Sequence, residues 1–266
     1  MRIGYFQFRP LFGKVSRNLL KVTNALRQAE ADLIVLPELP FTGYYFRDRG
    51  EVMAHAEDPE DSPTVAALAA LCREKRFHIV TGFTEKRGNK CYNSALLIGR
   101  DGLISVYRKL HLFNDEKKWF DAGDIPMTTF KVDGARIGML VCFDWAFPET
   151  WRSLALQGAE IICHPSNLVL GYCQEAMRTR CIENGIFVIT ANRYGADTRP
   201  HGEIEFTGKS QVTAPMGKVL HNGPAQEDEL FVVDIDPAEA RKKNITPGND
   251  LLGDRRPEFY MELTRR

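Results

Sequence analysis

The sequence lacks the features that mark nucleic-acid, membrane or metal-binding proteins. Its 35 Lys and Arg residues balance 35 Asp and Glu residues, so no net charge favours binding to nucleic acid or to an anionic membrane. No apolar run approaches the roughly 20 residues that a membrane-spanning helix needs. The six histidines are scattered and no Cys-x-x-Cys pair occurs, so the spacing indicates no metal site.

Secretory and linker features are missing as well. Met1 leads directly into a strand-like segment without a signal-peptide pattern, so we expect a cytoplasmic protein. In that compartment the six cysteines should be reduced, although their even number would also permit disulfides. No Ser/Gly-rich linker divides the chain, and 44% hydrophobic residues suffice for a sizeable core. We therefore predict one domain over residues 1–266.

Strand-like apolar segments alternate with segments of helical periodicity, which predicts a layered α/β fold. Ser16 is a possible cap of the first helix, and Ser62-Pro63 has the cap and first-turn proline of a second one. The segments Tyr92–Ile98 and Leu103–Tyr107 are separated by a short turn, so they should pair antiparallel. The sheets are therefore expected to be mixed.

Three predicted strands end in a residue that can carry chemistry. Glu38 follows one buried apolar run, Lys109 follows a second, and Cys142 follows a third and precedes a predicted helix. Ligands of open α/β sheets bind at the carboxyl ends of strands, and hydrolases expose a nucleophile at a strand–turn–helix elbow. Taken singly, each residue also fits an ordinary role: a solvated carboxylate, a surface lysine and a buried small hydrophobic residue.

The segments around these residues resemble the three signature blocks of the nitrilase superfamily of carbon–nitrogen hydrolases. The blocks are Leu36-Pro37-Glu38, residues 107–113 and residues 142–149, and they occur in the order and spacing of that family. The similarity runs from residue 2 to about residue 260. It implies an α/β fold with mixed sheets, a four-layer α-β-β-α sandwich, and a catalytic triad of Glu38, Lys109 and Cys142.

The resemblance also implies the roles of these residues. Cys142 would attack a carbonyl or nitrile carbon and form a thioester. Glu38 would act as general base, while Lys109 and the backbone N–H of Phe143 would stabilise the oxyanion. Family members carry a further glutamate near Glu116, which makes Glu116 an expected fourth participant, although its charged loop also fits a solvated carboxylate.

Further residues match positions that often border the substrate in this family. These substrate-binding candidates are Tyr44, Phe143, Trp145 and Asn167. Core packing is the alternative for the aromatic residues, and turn formation is the alternative for the asparagine. Arg180 and Glu183 are expected to form a structural ion pair. A Cys–His dyad with His111 or His164 is an alternative chemistry, but the resemblance gives that role to Lys109.

The residues after the cysteine bear on the substrate. Phe143-Asp144 resembles the amidase and carbamoyl-hydrolase branches, whereas nitrile-hydrolysing members typically have Trp-Glu there. We therefore predict a thiol-dependent amidohydrolase that cleaves a small carboxamide to a carboxylate and ammonia. The alternatives are an N-carbamoyl amine or amino acid hydrolase, a nitrilase, and a non-catalytic scaffold. Only Arg178, Arg180 and Arg193 suggest contacts to a substrate carboxylate.

The resemblance gives expectations for partners as well. The thiol, base and lysine would supply the chemistry, so no metal or organic cofactor is expected. The partner molecules would be a small amide substrate and a second copy of the chain, in a homodimer or a higher homo-oligomer. The segment 246–266 is expected to be a tail that crosses onto the partner subunit.

Overall fold

Two six-stranded sheets pack face to face in the computed structural model, which describes residues 1–265. The first sheet has the order β14-β1-β2-β3-β4-β5. Its strands are β1 (Arg2–Gln7), β2 (Leu33–Val35), β3 (His78–Arg87), β4 (Lys90–Gly99), β5 (Gly102–Arg108) and β14 (Glu229–Asp234). β1, β2 and β3 are parallel, while β4, β5 and β14 run antiparallel to their neighbours.

The second sheet has the order β13-β12-β9-β8-β7-β6. Its strands are β6 (Phe130–Val132), β7 (Ala135–Met139), β8 (Ile161–Pro165), β9 (Phe187–Ala191), β12 (Gln211–Thr213) and β13 (Val219–Asn222). β7, β8 and β9 are parallel, and the outer strands pair antiparallel. Two small hairpins lie outside the sheets: β10 (Tyr194–Arg199) with β11 (Gly202–Thr207), and β15 (Asn244–Thr246) with β16 (Asn249–Asp250).

Helices cover the outer faces of both sheets. The α-helices are α1 (Val15–Leu26), α2 (Arg49–His55), α3 (Pro63–Lys75), α4 (Glu116–Trp119), α5 (Pro148–Leu156) and α6 (Cys173–Asn184). Short 3-10 helices occupy Cys142–Ala146, Pro215–Gly217, Pro237–Arg241, Pro257–Phe259 and Met261–Thr264. α1 and α3 lie against the first sheet, and α5 and α6 against the second, so the expected order of four layers is observed.

Side chains along the central strands point alternately into two hydrophobic cores. In β2, Leu33 and Val35 point into the core between the sheets, whereas Ile34 points into the core beneath α1 and α3. Successive strand residues face opposite sides, so a central strand covered on both faces is apolar throughout. Packing on both faces fixes the position of the central strands, and thereby the position of the loops that follow their carboxyl ends.

The sequence-based predictions of fold are largely confirmed. The sheets are mixed, with β4 and β5 antiparallel, and the hydroxyl of Ser62 accepts a hydrogen bond from the N–H of Val65 at the start of α3. The possible cap at Ser16 is wrong. Ser16 lies inside α1, whose N-cap is Lys14 without a side-chain cap, while the side chain of Asn18 bonds the backbone of the preceding loop.

The segment predicted as a tail has local structure of its own. It includes β16 and two 3-10 helices, and it carries exposed apolar side chains such as Phe259 and Leu263. Arg266, the last residue of that predicted segment, lies outside the described residues. Across residues 1–265, no helix combines the length and apolar character needed to cross a membrane.

Candidate active site

Glu38 lies in a tight turn directly after β2, where the first sheet approaches the second. Gly82 of β3 makes this turn possible: a Cβ there would lie 2.5 Å from the Cα of Glu38 and 2.5 Å from the backbone nitrogen of Leu39. The N–H of Gly82 also donates to the carbonyl of Pro37 at 3.0 Å. A glycine is required because the two backbones approach too closely for any side chain. The result is a fully buried Glu38 side chain.

Lys109 brings two buried carboxylates together. Its Nζ donates to Glu38 Oε1 at 2.7 Å and to Glu116 Oε1 at 2.8 Å, and all three side chains are fully buried. Lys109 follows β5, and Glu116 begins α4. Three separate segments of the chain therefore meet in one charged cluster, and two of its members, Glu38 and Lys109, come from the sequence blocks.

Neighbouring side chains hold the two carboxylates in place. Asn93 Nδ2 donates to Glu38 Oε1 at 2.6 Å, and the backbone N–H of Lys109 donates to the carbonyl of Asn93 at 2.9 Å. The hydroxyl of Tyr44 donates to Glu116 Oε1 at 2.7 Å. Glu38 Oε2 has no hydrogen-bond partner among the described residues although it is buried. That oxygen is therefore free to accept a proton.

Burial and pairing set the charges in this cluster. Burial opposes the charge on Lys109, but the carboxylates of Glu116 and Glu38 outweigh burial and raise the pKa of the ammonium. Burial also raises the pKa of Glu116, against the pull of Lys109. Lys109 is thus a permanent ammonium, which has three donor hydrogens and uses two of them on the carboxylates.

Cys142 occupies a strained elbow between β7 and the 3-10 helix Cys142–Ala146. Its φ is 42°, in the left-handed region that non-glycine residues rarely adopt. Asp144 stabilises the elbow because its Oδ2 accepts from the N–H of Val141 at 2.9 Å and from the hydroxyl of Tyr107 at 2.7 Å. Its Oδ1 lies 2.8 Å from Nδ1 of His111. The elbow is therefore tied to the segment that carries Lys109.

Burial raises the pKa of the Cys142 thiol, and the charge of Glu38 raises it further, against the opposing effect of Lys109. Burial therefore outweighs the thiolate-stabilising effect of the Lys109 ammonium. The backbone of Asn167 acts in the opposite direction and lowers the pKa of the thiol. A thiol in this environment needs a base to remove its proton, and Glu38 is the buried carboxylate with a free oxygen.

A narrow cavity leads to Cys142. Its open volume is about 10 Å³, and it is lined by Phe113, Cys142, Phe143, Trp145, Asn167, Leu168, Val169 and Leu170. Of the four predicted substrate-binding residues, Phe143, Trp145 and Asn167 line this cavity. Tyr44 is not among the lining residues and instead supports Glu116. Asn167 is 3% exposed, and neither its Oδ1 nor its Nδ2 has a partner among the described residues.

The candidate arginines lie elsewhere. Arg180 pairs with Glu183 at 2.7 Å, as predicted, and also donates to the carbonyl of Trp145. Arg193 is fully buried and pairs with Asp197 at 2.9 Å. Arg178 is exposed beside Glu175. None of the three lines the cavity.

Neither histidine of the alternative dyad contacts the thiol. His111 pairs with Asp144 and stacks on Phe147, with 3.5 Å between the ring centroids. Nε2 of His164 lies 2.9 Å from the backbone carbonyl oxygen of Cys142. Among the described residues, no group of three or more His, Cys, Asp or Glu side chains is arranged to hold a metal ion.

Sequence reasoning missed three residues that shape the site: Asn93, Asp144 and His164. Each had a visible signal, because each is a polar residue next to or within an apolar run. Their partners could not be read from that signal, since Asn93 contacts a residue 55 positions away and His164 one 22 positions away.

Known proteins are similar to this chain in sequence and in fold. A family model described as carbon-nitrogen hydrolase matches residues 2–244. A nitrilase from Pyrococcus abyssi (strain GE5 / Orsay) is 38% identical, with 98% of this chain and 99% of that protein covered. An (R)-stereoselective amidase from Pseudomonas sp. is 31% identical, with 99% of this chain and 94% of that protein covered.

The chain belongs to the carbon–nitrogen hydrolase family. A solved structure of a mutant amidase from Nesterenkonia sp. AN1 is 25% identical, covers 99% of each chain and has a TM-score of 0.81. It shows the result of Michael addition of acrylamide at the active-site cysteine. The present chain is therefore a nitrilase-superfamily hydrolase that acts on carbon–nitrogen bonds other than peptide bonds. The cysteine nucleophile that we predicted for it agrees with the cysteine adduct in that amidase.

Proposed function

We propose that this hydrolase cleaves a small, neutral carboxamide to a carboxylate and ammonia through a thioester on Cys142. The observation that carries the proposal is the buried cluster of Glu38, Lys109 and Glu116 beside a thiol at a narrow cavity. The open space beside Cys142 is only about 10 Å³, whereas ligand pockets usually measure about 300–1,000 Å³. This narrow space favours a small acyl group.

The proposed reaction has two halves. Glu38 accepts the thiol proton while the sulfur of Cys142 attacks the carbonyl carbon. Lys109 and the N–H of Phe143 stabilise the resulting oxyanion by hydrogen bonds. The C–N bond then breaks, and Glu38 returns the proton to the departing nitrogen as ammonia leaves. In the second half Glu38 deprotonates a water that attacks the thioester carbon. The C–S bond then breaks, Glu38 returns that proton to the sulfur, and the acid leaves as the carboxylate after losing its proton to solvent.

Two features of the cavity support a neutral substrate with a polar group. No charged side chain is among the lining residues, so a substrate carboxylate would have no partner there. The amide of Asn167 is buried without a partner, and leaving such a group unpaired costs about 1–3 kcal/mol. We propose that Asn167 bonds to a donor or acceptor group of the substrate, while Phe143 and Trp145 contact its apolar part.

Two alternatives remain, each with an observation in its favour. A nitrile substrate is favoured by the 38% identity to a nitrilase from Pyrococcus abyssi. An N-carbamoyl amine also fits a neutral cavity, whereas an N-carbamoyl amino acid would need a cation that the lining residues do not supply. The Phe143-Asp144 pair after the nucleophile remains our reason for preferring the amide.

Parallel assays separate these substrates. Ammonia release would be measured with propionamide, propionitrile, an N-carbamoyl amine and an N-carbamoyl amino acid, using the natural chain and Cys142→Ala. We expect turnover of propionamide by the natural chain only, and intact-mass spectra should show an acyl adduct on Cys142. Amide hydrolysis that survives in Cys142→Ala would refute the mechanism, and faster turnover of propionitrile would refute the substrate class.

We also propose that two copies associate through the outer face of α5 and α6. Leu156 is 48% exposed, Ile182 46% and Met216 60%, so this layer presents apolar side chains to solvent. The segment 257–264 adds exposed apolar residues next to α5, with Tyr260 and Leu263 lining the same groove as Leu156. Association would remove this apolar surface from water.

A further inference from the structure

His164 in β8 is a buried side chain that the proposed reaction does not use. Its Nε2 lies 2.9 Å from the carbonyl oxygen of Cys142, and because a carbonyl only accepts, Nε2 must carry the hydrogen. Nδ1 must then accept, and it lies 3.2 Å from Thr190 Oγ1 and 3.3 Å from Ser166 Oγ. Burial lowers the pKa of His164 to about 4, so the ring is neutral near pH 7.

The carbonyl that His164 contacts belongs to the peptide unit between Cys142 and Phe143. A trans peptide unit is planar, and its C=O and N–H point in opposite directions. A hydrogen bond that fixes the carbonyl oxygen on the side of β8 therefore also fixes the direction of the Phe143 N–H. Cys142 also has a left-handed φ of 42°, a conformation that a residue with a side chain keeps only with support from its surroundings.

We propose that His164 is a positioning residue that aims the Phe143 N–H at the oxyanion of the tetrahedral intermediate. This inference rests on the proposed function, because it requires an oxyanion to form at Cys142. Hydrogen bonds in a chain polarise one another, so the bond to the carbonyl also strengthens the N–H as a donor. One oxyanion donor contributes about 10²–10³ in kcat, and misdirecting it should forfeit part of that factor.

Two substitutions separate positioning from packing. His164→Gln keeps an N–H donor at a similar reach, whereas His164→Met keeps the volume without a donor. The kcat and KM for propionamide would be measured together with the affinity for propionaldehyde. The aldehyde adds to the thiol to give a hemithioacetal, in which the sulfur bonds to the carbonyl carbon and the oxygen takes the oxyanion position. The rate of reaction with methyl methanethiosulfonate reports the thiol alone, since that reaction forms no oxyanion.

We expect His164→Met to lower kcat and the aldehyde affinity by the same factor, roughly 10- to 100-fold, with KM and the thiosulfonate rate unchanged. His164→Gln should recover most of the loss. Equal losses in both variants, an unchanged aldehyde affinity in His164→Met, or a parallel loss of thiosulfonate reactivity would overturn the proposal.

Two further controls keep the test decisive. If His164→Met does not fold, His164→Leu is a second variant of similar volume without a donor, and the same pattern is expected. An unchanged aldehyde affinity there would overturn the proposal. If the natural chain does not hydrolyse propionamide, the substrate of the proposed function is wrong, yet the aldehyde comparison still decides the role of His164.

Discussion

Lys109 is the residue on which both the chemistry and the stability of the site depend. Lys109→Met would leave Glu38 and Glu116 buried without their shared counter-charge. Breaking a buried ion pair by removing one partner costs about 3–5 kcal/mol, so we expect that loss in the free energy of unfolding together with loss of turnover. Urea denaturation and the propionamide assay measure the two effects.

Cys142→Ala is the matched control for that substitution. It removes the thiol but no charge, so turnover should vanish while the free energy of unfolding changes far less than in Lys109→Met. The double variant Glu38→Gln/Lys109→Met should regain part of the lost stability, because neighbouring substitutions are not additive. Full stability in Lys109→Met would show that the buried carboxylates do not depend on the lysine.

His164 should give the protein a measurable acid sensitivity. Its pKa falls from an ordinary value of 6.5 to about 4 in the folded state, so the unfolded chain binds more protons between these values. The stability contribution is therefore fully present above about pH 6.5 and is lost as the pH falls toward 4. Each pKa unit corresponds to about 1.4 kcal/mol, which gives a total on the order of 3 kcal/mol.

The comparison of two chains isolates this effect from the titration of carboxylates. Thermal unfolding of the natural chain and of His164→Gln would be followed from pH 7 to pH 4. We expect the natural chain to lose stability more steeply than the variant over that range. Identical slopes would mean that His164 is not the group that takes up the proton on unfolding.

At the residue scale, the sequence predicted the identities of Glu38, Lys109 and Cys142 because their blocks are ordered and distinctive. It could not predict that Asn93 bonds Glu38 or that His164 bonds the carbonyl of Cys142. A polar residue in an apolar strand indicates a buried hydrogen bond, but its partner depends on the packing of another segment.

Among the elements, β3 contacts the Glu38 turn so closely that a single added methyl group should disturb the site. Gly82→Ala would place a methyl group 2.5 Å from the Cα of Glu38, against backbone that cannot move aside. We expect a loss of at least 10-fold in kcat/KM from the displaced carboxylate, with destabilisation of about 1–3 kcal/mol from overpacking. Enzyme assays and urea denaturation would measure both.

Gly248→Ala provides the matched control, because nothing lies within 4 Å of a Cβ at that position. The same chemical change should there leave kcat/KM unchanged and shift stability by less than about 1 kcal/mol. Wild-type activity in Gly82→Ala would show that the turn can shift without displacing Glu38.

Elements with a local signal were predictable, and the others were not. In the pair Ser62-Pro63, the serine itself caps the helix by accepting a hydrogen bond from Val65. Before α1, the side chain of Asn18 instead bonds the backbone of the loop, and Ser16 lies inside the helix. α2 and the β10–β11 hairpin were missed. α2 has a readable start, since the side chain of Asp48 accepts from the N–H of Glu51, but its seven residues carry little periodicity.

For the whole molecule, the four layers explain why the site lies where it does. β1, β2 and β3 of one sheet and β7, β8 and β9 of the other are parallel, and Glu38 and Cys142 follow central strands of opposite sheets. β2 of the first sheet packs against β8 and β9 of the second, and Cys142 follows β7, the neighbour of β8, so the loops that leave these strands converge. Helix layers then cover both outer faces, and the second layer exposes the apolar side chains of Leu156, Ile182 and Met216.

That outer layer leads to a prediction about assembly. Ile182→Asp would place a charge on the apolar face of α5 and α6, beside Gly217, which follows Met216 in the chain. If two copies associate through this face, the charge would be buried without a partner, and the dimer should dissociate to monomers.

Leu20→Asp is the matched control, since Leu20 is 59% exposed on α1 in the opposite layer. Light scattering coupled to size-exclusion chromatography should give a dimer mass for the natural chain and Leu20→Asp, and a monomer mass for Ile182→Asp. A dimer that survives Ile182→Asp, or a natural chain that is monomeric at micromolar concentration, would rule out this face as the interface.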